Sequence, residues 1–527
     1  MAITSHIPAW GKSSWLSHFS YQERPFTLIA LCFIVVIASI IMIRANARRT
    51  IKINSLGSRS SQVPSWVPLQ LDVLFTATRH LMRNTFFEYT QELLNHPGHT
   101  IEFNIFGRRI LMTDAPENIK TIMATNFSIW PKGHHMHGIW SNVLGDSIFT
   151  TDGPQWLASK TLLRGNLAKS RTNDLELTEI DFQELKKHLV KDEPQDLYDL
   201  TDRYQLDVVT RVFLGKSADS LPSISQSFRR AMENVFDWNT KRIFLGPIGT
   251  LIPMNIVAGK SLQILNDYIN TFVERVKAMS FEDVEAIPEN DRNLVHTLIR
   301  EEKDPKAVKD QLLAVLTAAK DPSSMTMAFA IYELARNPDV AAKLQEEISR
   351  VCGLSNLPTA AQIQEMTYAK CVMKETLRMY HSLGFNMRTA SVDTSLPVGG
   401  GVNGNEPVGV PADTQCIYSV LGLQRRTDVW GPDAEVWKPE RWLSHTAETW
   451  SFIPFNHGPR VCLGRVFGQQ QVLYLLVRLY QVFDRIELIS PKQQQIKVEL
   501  NTKMAYPCLC KFYLRQDSKD DDKELLV

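Results

Sequence analysis

Between Phe26 and Ile43 the chain runs FTLIALCFIVVIASIIMI, eighteen residues without a charge. At about 1.5 Å per residue a helix of that length reaches about 27 Å, close to the hydrocarbon thickness of a bilayer. The pattern predicts one transmembrane helix over 26–43. Arg44, Arg48, Arg49 and Lys52 follow it, so everything downstream is expected in the cytosol and residues 1–25 in the lumen. The run starts late, and arginines stand where a cleavage site would show small residues, which argues against a removable signal peptide. Residues 44–68 turn basic and then rich in Gly, Ser and Pro from Gly57 to Pro68. Such a passage from flexible to stiff predicts a hinge. The charged run 516–527 predicts a disordered tail.

Between hinge and tail, residues 69–515, helical periodicity dominates and alternation is confined to short stretches. Ile101–Met112 alternates and reads as a strand pair turning at Phe106-Gly107-Arg108. Asp304 to Arg336 predicts a long helix through the centre. Asn337-Pro338-Asp339 opens the next, with Asn as N-cap and Pro at the first helical position. Thr367–Tyr380 carries apolar residues on more than one face and reads as a mostly buried helix. Leu396–Val420, with its glycines, prolines and alternation, predicts a small sheet region. Gly464–Phe483 is an apolar helix. The expected class is mainly α with a minor β region.

Composition narrows the function classes. With 44% hydrophobic residues the chain has ample material for a large core, and a net charge of +1 without basic blocks gives no sign of nucleic-acid binding. The seven cysteines are scattered and odd in number, which fits a reducing compartment. Cys508 and Cys510 lie on one face of an expected strand without a second ligand pair, and read as core. His134, His135 and His137 lack companions at ligand spacing, so a loop role outweighs a metal site.

Candidate chemistry concentrates near the C-terminus, in Phe455-Asn-His-Gly458-Pro-Arg460-Val-Cys462-Leu-Gly464. A cysteine entering a helix sits where the macrodipole favours its thiolate. Gly458 and Gly464 allow sharp bends and open space beside the sulfur. Arg460 adds a positive charge suited to an anionic cofactor group. The spacing Phe-x-x-Gly-x-Arg-x-Cys-x-Gly resembles the haem-binding signature of the cytochrome P-450 family. Glu375-Thr-Leu-Arg378 and the Pro-Glu-Arg441 segment stand upstream in the family's order. The resemblance covers roughly 65–515 and implies the P-450 fold, preceded by one N-terminal transmembrane helix.

That resemblance implies further roles. Cys462 becomes the axial ligand of haem b (iron protoporphyrin IX), with Phe455 in the cofactor-binding loop. Arg388, Arg460, Trp156 and the basic residue four after that Trp hold the propionates. Here that residue is Lys160 where Arg is usual; it keeps the charge but loses the bidentate fork, and an ordinary solvated helix lysine is the competing reading. Glu375, Arg378 and Arg441 map onto the family's structural triad. Asn386-Met-Arg388-Thr-Ala, Gly399-Gly-Gly401 and Gln424 to Asp433 are most similar to the fungal microsomal alkane and fatty-acid hydroxylase branch. Val315, Leu383, Phe385 and Met504 are the expected pocket residues, which makes the pocket apolar.

One departure bears on mechanism. The family pattern Ala-Gly-x-Asp-Thr-Thr is replaced by Ala318-Ala319-Lys320-Asp321-Pro322-Ser323-Ser324. Pro322 stands at the usual alcohol position and is expected to kink the helix by freeing the carbonyl of Ala318. Asp321 with Ser323 (or Ser324) and a water on that carbonyl would then relay protons. Alternatively Pro322 only fixes a bend, or oxygen activation is impaired and the enzyme is a haem-thiolate isomerase or dehydratase. A non-catalytic haem-binding protein is a reading of a different class. The expectation adopted is a monooxygenase on the endoplasmic reticulum membrane, single-pass, acting on a fatty-acid-like substrate or a fungal secondary-metabolite intermediate such as a polyketide or terpenoid. No flavin or nicotinamide segment is attached, so NADPH-cytochrome reductase is the implied electron donor, with cytochrome b5 as an optional second one.

Overall fold

The computed structural model describes residues 44–168, 171, 173–222, 226–302, 304–444 and 446–515, together with Phe33 and Ile37. The segment 1–25 expected in the lumen, nearly all of the expected span 26–43 and the expected tail 516–527 lie outside them. Among the described residues no helix is long and apolar enough to cross a membrane.

The strands are β1 (Ser61–Gln62), β2 (Thr100–Ile105), β3 (Arg108–Thr113), β4 (Gln195–Asp196), β5 (Phe385–Thr389), β6 (Thr394–Gly400), β7 (Glu406–Val410), β8 (Gln415–Ser419), β9 (Phe483–Leu488), β10 (Ile496–Val498), β11 (Thr502–Met504) and β12 (Leu509–Leu514). One five-stranded sheet has the order β1-β2-β3-β8-β5. Its β2–β3 hairpin turns at Phe106 and Gly107, both with positive φ (50° and 75°), the geometry that matches strand twist in a two-residue loop. Thr100 pairs with Thr113 and Ile105 with Arg108. β10 and β11 form a separate hairpin.

The stretch read as a hinge is docked instead. Residues 44–56 are helical, and Arg49 donates to Gly107 O at 2.8 Å and to Asn104 Oδ1 at 3.1 Å. Ser58 N–H donates to Pro407 O at 2.7 Å, and Ser58 and Ser60 bridge to Val408 and Gly400. A Cβ on Gly57 would stand 2.6 Å from Pro407 O. The small residues here permit close backbone approach rather than looseness, a choice that composition alone does not separate.

Eight helices carry the site: α1 (Gly133–Leu144), α2 (Gly153–Leu167), α3 (Leu197–Leu214), α4 (Ser227–Phe244), α5 (Met254–Lys277), α6 (Pro305–Arg336), α7 (Thr367–Met379) and α8 (Arg465–Val482). α6 is the long central helix. Asp304 caps it by accepting from Lys306 N–H, and Pro305 sits at its first position. It packs against α3, α5, α7 and α8 in one large core. Pro322 does not interrupt it, since every residue from 305 to 336 is helical. The neighbouring carbonyl of Ala319 takes a bond from Gln205 Nε2 at 3.2 Å. Asn337 stands at the N-cap of the helix after it, with Pro338 in the first turn, but its side chain makes no capping bond; its Nδ2 instead closes α6 by donating to Glu333 O at 2.8 Å. His134, His135 and His137 lie at the start of α1 rather than in a loop, and His137 pairs with Asp146 at 3.0 Å. Cys508 and Cys510 are buried side by side, their sulfurs 3.9 Å apart.

Candidate active site

The cysteine loop is built from its glycines outward. Gly458 has φ +67° and lies so close to the 121–125 turn that a Cβ would stand 2.1 Å from Met123 O. It anchors the loop rather than opening space. Open space is supplied by Gly464, beside which a Cβ would meet nothing within 4 Å. Cys462 N–H donates to Phe455 O at 2.9 Å, which closes the loop across the signature. Of the six described cysteines Cys462 is exposed and the others are buried. Its surroundings are nevertheless protein on nearly every side. An accessible sulfur that is enclosed lines an internal space.

The expected thiolate preference is not found in the protein alone. Burial raises the Cys462 pKa, and the Gly464 N–H and Arg465 offset this only in part. Desolvation outweighs the helix end at this depth. Coordination to a metal would itself deprotonate the thiol.

Cations gather beside the loop. Arg460 donates to Asp152 Oδ1 at 2.6 Å and Thr151 O at 2.9 Å, and stacks 4.6 Å over the Trp156 ring. Burial first, then Arg388, lowers its pKa to about 10. Its Nε is sealed from solvent without a partner. Lys160 donates to Pro459 O at 2.8 Å, 5.2 Å from the Trp156 ring, so it is engaged with the loop and is not a freely solvated lysine. A third member, Lys132, has no signal in the sequence. Its Nζ donates to Phe149 O at 2.7 Å, and burial, Arg388 and Arg460 hold its pKa well below the ordinary lysine value, with Asp152 opposing. Lys132 and Arg460 thus share Asp152 as counter-charge while Arg388 adds a third positive charge beside them, an arrangement short of negative charge. A dianion at this spot relieves it.

The opposite wall comes from α6. In this buried helix Ala318 is exposed and Ala319 and Pro322 are partly so. At about 100° per residue, Val315, Ala318 and Pro322 share one face. Asp321 and Ser323 fall about 200° apart, on opposite flanks of that face, so the structure does not join them as a relay. Asp321 is held by Lys320 (2.6 Å) and Asn501 (3.0 Å). Ser323 is buried, with Oγ 3.6 Å from where a Gly468 Cβ would stand. Ser324 Oγ is spent on Asp321 O at 3.0 Å.

The other expected pocket residues divide. Val315 and Met504 belong to the main core. Leu383 is half-buried in the turn after α7. Phe385 joins a separate aromatic group, 5.7 Å from Phe86, which lies 5.8 Å from Phe244.

Behind the site, Glu375 and Arg378 are fully buried and paired at 2.8 and 2.9 Å. Arg441 reaches Glu375 at 3.5 Å but bonds more closely to Asp433 at 2.7 Å. Trp442 Nε1 and Lys438 N–H each donate to Glu375 at 2.9 Å. Asp433 and Trp442 are members that the motif spacing does not reveal.

A small-residue helix face, an enclosed accessible thiol and a cationic corner lacking an anion fit a flat, iron-bearing macrocycle with two carboxylates. Comparison with known proteins agrees. A family model for cytochrome P450 matches residues 62–507. A cytochrome P450 monooxygenase of Talaromyces variabilis, pvhE, is 32% identical over 87% of this chain and 90% of its own. Cytochrome P450 52A13 of Debaryomyces hansenii is 34% identical over 74% and 78%. The monooxygenase himC of Aspergillus japonicus is 34% identical over 80% and 77%. The chain belongs to the cytochrome P450 family and is a haem-b-binding monooxygenase.

Proposed function

We propose that this monooxygenase hydroxylates a fatty-acid-like substrate or a fungal secondary-metabolite intermediate at the endoplasmic reticulum membrane, with electrons from NADPH-cytochrome reductase. The observation that carries the reading is the pairing of the enclosed Cys462 sulfur with the Lys132, Arg388 and Arg460 corner. When bound, haem with a thiolate ligand supplies oxygen activation and insertion into a C–H bond. Cys462 Sγ would ligate the iron. Arg388, Arg460, Trp156, Lys160 and Lys132 would hold the propionates, Lys160 through the loop it braces. Phe455 fixes the loop through its carbonyl. The small face of α6 would leave room for substrate beside the bound haem, and Phe86, Phe244 and Phe385 would offer an apolar approach.

Proton supply falls to Ser323 Oγ and water, because Asp321 is committed elsewhere. Its carboxyl is pushed up by burial but brought below the usual range by Lys320 and Lys503 and by bonds from Lys320 and Asn501. An ionised, fully bonded carboxylate is a poor donor. Ser323→Ala is expected to slow product formation by about a hundredfold or more and divert electrons to hydrogen peroxide.

The membrane part of the reading is supported by large apolar residues exposed near the chain's start, Trp66, Phe75 and Met82, and by the uncharged run 26–43. The decisive test is product profiling by mass spectrometry, with purified protein, reductase and NADPH, over a panel of fatty acids and fungal metabolites. Oxygenated product that requires both NADPH and oxygen supports the proposal. Turnover without either would replace it by the isomerase or dehydratase reading.

A further inference from the structure

Beyond α3 the chain turns at Gly215, φ +81°, into a loop over residues 216–221 that is pinned from beneath. Asp207, fully buried, accepts from Ser220 N–H at 2.6 Å and Leu221 N–H at 2.8 Å. Thr210 Oγ accepts from Ala218 N–H at 2.8 Å. Arg203 donates to Ser220 O at 2.9 Å and Leu221 O at 2.7 Å. Across from this loop is one side of α5, where Tyr268 and Phe272 stand a turn apart and Arg275 follows. The Tyr268 ring is wedged between Phe228 and Phe272, at centroid distances of 3.9 and 5.2 Å. Between these braced walls lies a cleft of about 260 Å³, with Lys216, Ser217 and Ala218 on one side and Tyr268, Phe272 and Arg275 on the other. None of them belongs to the cysteine loop, the cationic corner or the α6 face.

The cleft's charges are out of balance. Lys216 and Arg275 are exposed, and among the described residues neither forms an ion pair. Glu274, beside Arg275 in the chain, is taken by Lys277 at 3.2 Å. Asp219 is the one carboxylate in the lining, and its field falls on Arg211 and Tyr268. Ser217 is buried, and its Oγ accepts from Asp219 N–H at 2.9 Å, which leaves its own proton to donate. Thr271 is spent, donating to Asp267 O at 2.9 Å. Each cation also stands at the C-terminal end of a helix, where the macrodipole favours it. That accounts for the positive charge but not for the aromatic cleft between the two.

We propose that this cleft is a second binding site, separate from the haem cavity, for a small aromatic carboxylate. Lys216 and Arg275 hold the carboxylate at the exposed rim, Lys216 as a point charge and Arg275 as a planar fork. Ser217 Oγ adds a neutral donor, and the Tyr268 and Phe272 rings take the flat apolar body. The volume lies just below the range of about 300–1,000 Å³ for drug-sized ligands, which suits one or two rings. Binding here does not rest on the monooxygenase reading.

The test uses the full-length, haem-loaded protein and 2-naphthoate, with 1-dodecylimidazole filling the haem cavity. Equilibrium dialysis is expected to find one naphthoate per chain. Hydrogen exchange should show protection confined to peptides covering 215–221 and 268–276. Neutral 2-methylnaphthalene should bind more weakly. Lys216→Gln and Arg275→Gln should each raise the dissociation constant about three- to tenfold, as expected for charge pairs near a surface. Ala218→Trp fills the cleft without altering charge and should abolish binding. A lower melting temperature in the two cation variants with unchanged naphthoate affinity would assign both residues to the helix ends and overturn the site. Absence of binding to wild type would overturn it too, as would bound naphthoate that leaves 215–221 and 268–276 unprotected. Should Ala218→Trp fail to fold, the two exposed cation variants carry the same decision.

Discussion

At single residues, charge that is out of balance carries the most information. Lys132 is half-buried beside two other cations; burial, Arg388 and Arg460 lower its affinity for its proton, and Asp152 opposes them. If it faces a propionate, Lys132→Ala removes a charge-assisted bond of about 1.5–3 kcal/mol, which is about ten- to a hundredfold in haem retention. Haem transfer to apomyoglobin measures this, and an unchanged rate would remove Lys132 from the site. The residue was invisible in the sequence because its neighbours are distant in the chain. Cys462 and Arg460 were legible because their spacing lies within one loop. His381 offers a pH handle of a different kind. Burial lowers its pKa to about 4, against about 6.5 when unfolded. Between those values the unfolded chain binds the extra proton, so the stability present above pH 6.5 is lost as pH falls towards 4. The window corresponds to about 3 kcal/mol. In His381→Phe the melting temperature should fall less steeply over that range, even if its absolute value drops because Leu383 N–H loses its acceptor at 3.0 Å.

At the level of elements, periodicity and punctuation were good guides to existence and poor guides to partners. α6, α7 and α8 begin and end within a residue or two of their expected bounds, because long apolar repeats and the Asp304-Pro305 start leave little choice. Asn337 holds the expected N-cap position, yet its side chain turns back to donate to Glu333 O instead of accepting from the helix it precedes. Asp321 and Ser323 were misread as a pair because two positions along a helix are neighbours in sequence yet not on its surface. The triad was legible as three positions, but its strength lies in the bonds around it. Glu375 receives Arg378 fully out of water, and Lys438 N–H and Trp442 from partly buried positions. Removing one member of a buried pair costs about 3–5 kcal/mol. Glu375→Ala should therefore fail to accumulate as haem protein. Arg441→Lys, in which Asp433 can keep an ammonium at the rim, should lose less and still show the reduced carbon monoxide spectrum. Equal loss in both would mean that the pair acts as a single indivisible unit with Arg441.

For the whole molecule the proposed attachment to a bilayer is the property to test, and the fold sharpens the test. A cut inside the basic segment would damage the domain, since Ile53 is fully buried and Arg49 bonds to the β2–β3 turn; the boundary belongs before residue 44. A chain starting there keeps Trp66, Phe75 and Met82, which are 90%, 71% and 81% exposed. Such side chains gain about 1.5–3 kcal/mol each when buried in an apolar phase. Even partial insertion of all three, worth about 3 kcal/mol, would hold the truncated enzyme on vesicles by about a hundredfold in partitioning. The truncated protein is expected to sediment with neutral phospholipid vesicles, and Trp66→Ser with Phe75→Ser and Met82→Gln should release it. The same triple change in the full chain should leave it in the membrane fraction, because residues 26–43 remain. Protease added to sealed microsomes should digest the full chain's catalytic domain, as the arginines after Ile43 require. Protection of that domain without detergent would reverse the orientation. Release of the full-length triple variant into the soluble fraction would instead show that 26–43 does not span, and that the exposed apolar face was the only hold the enzyme had on its membrane.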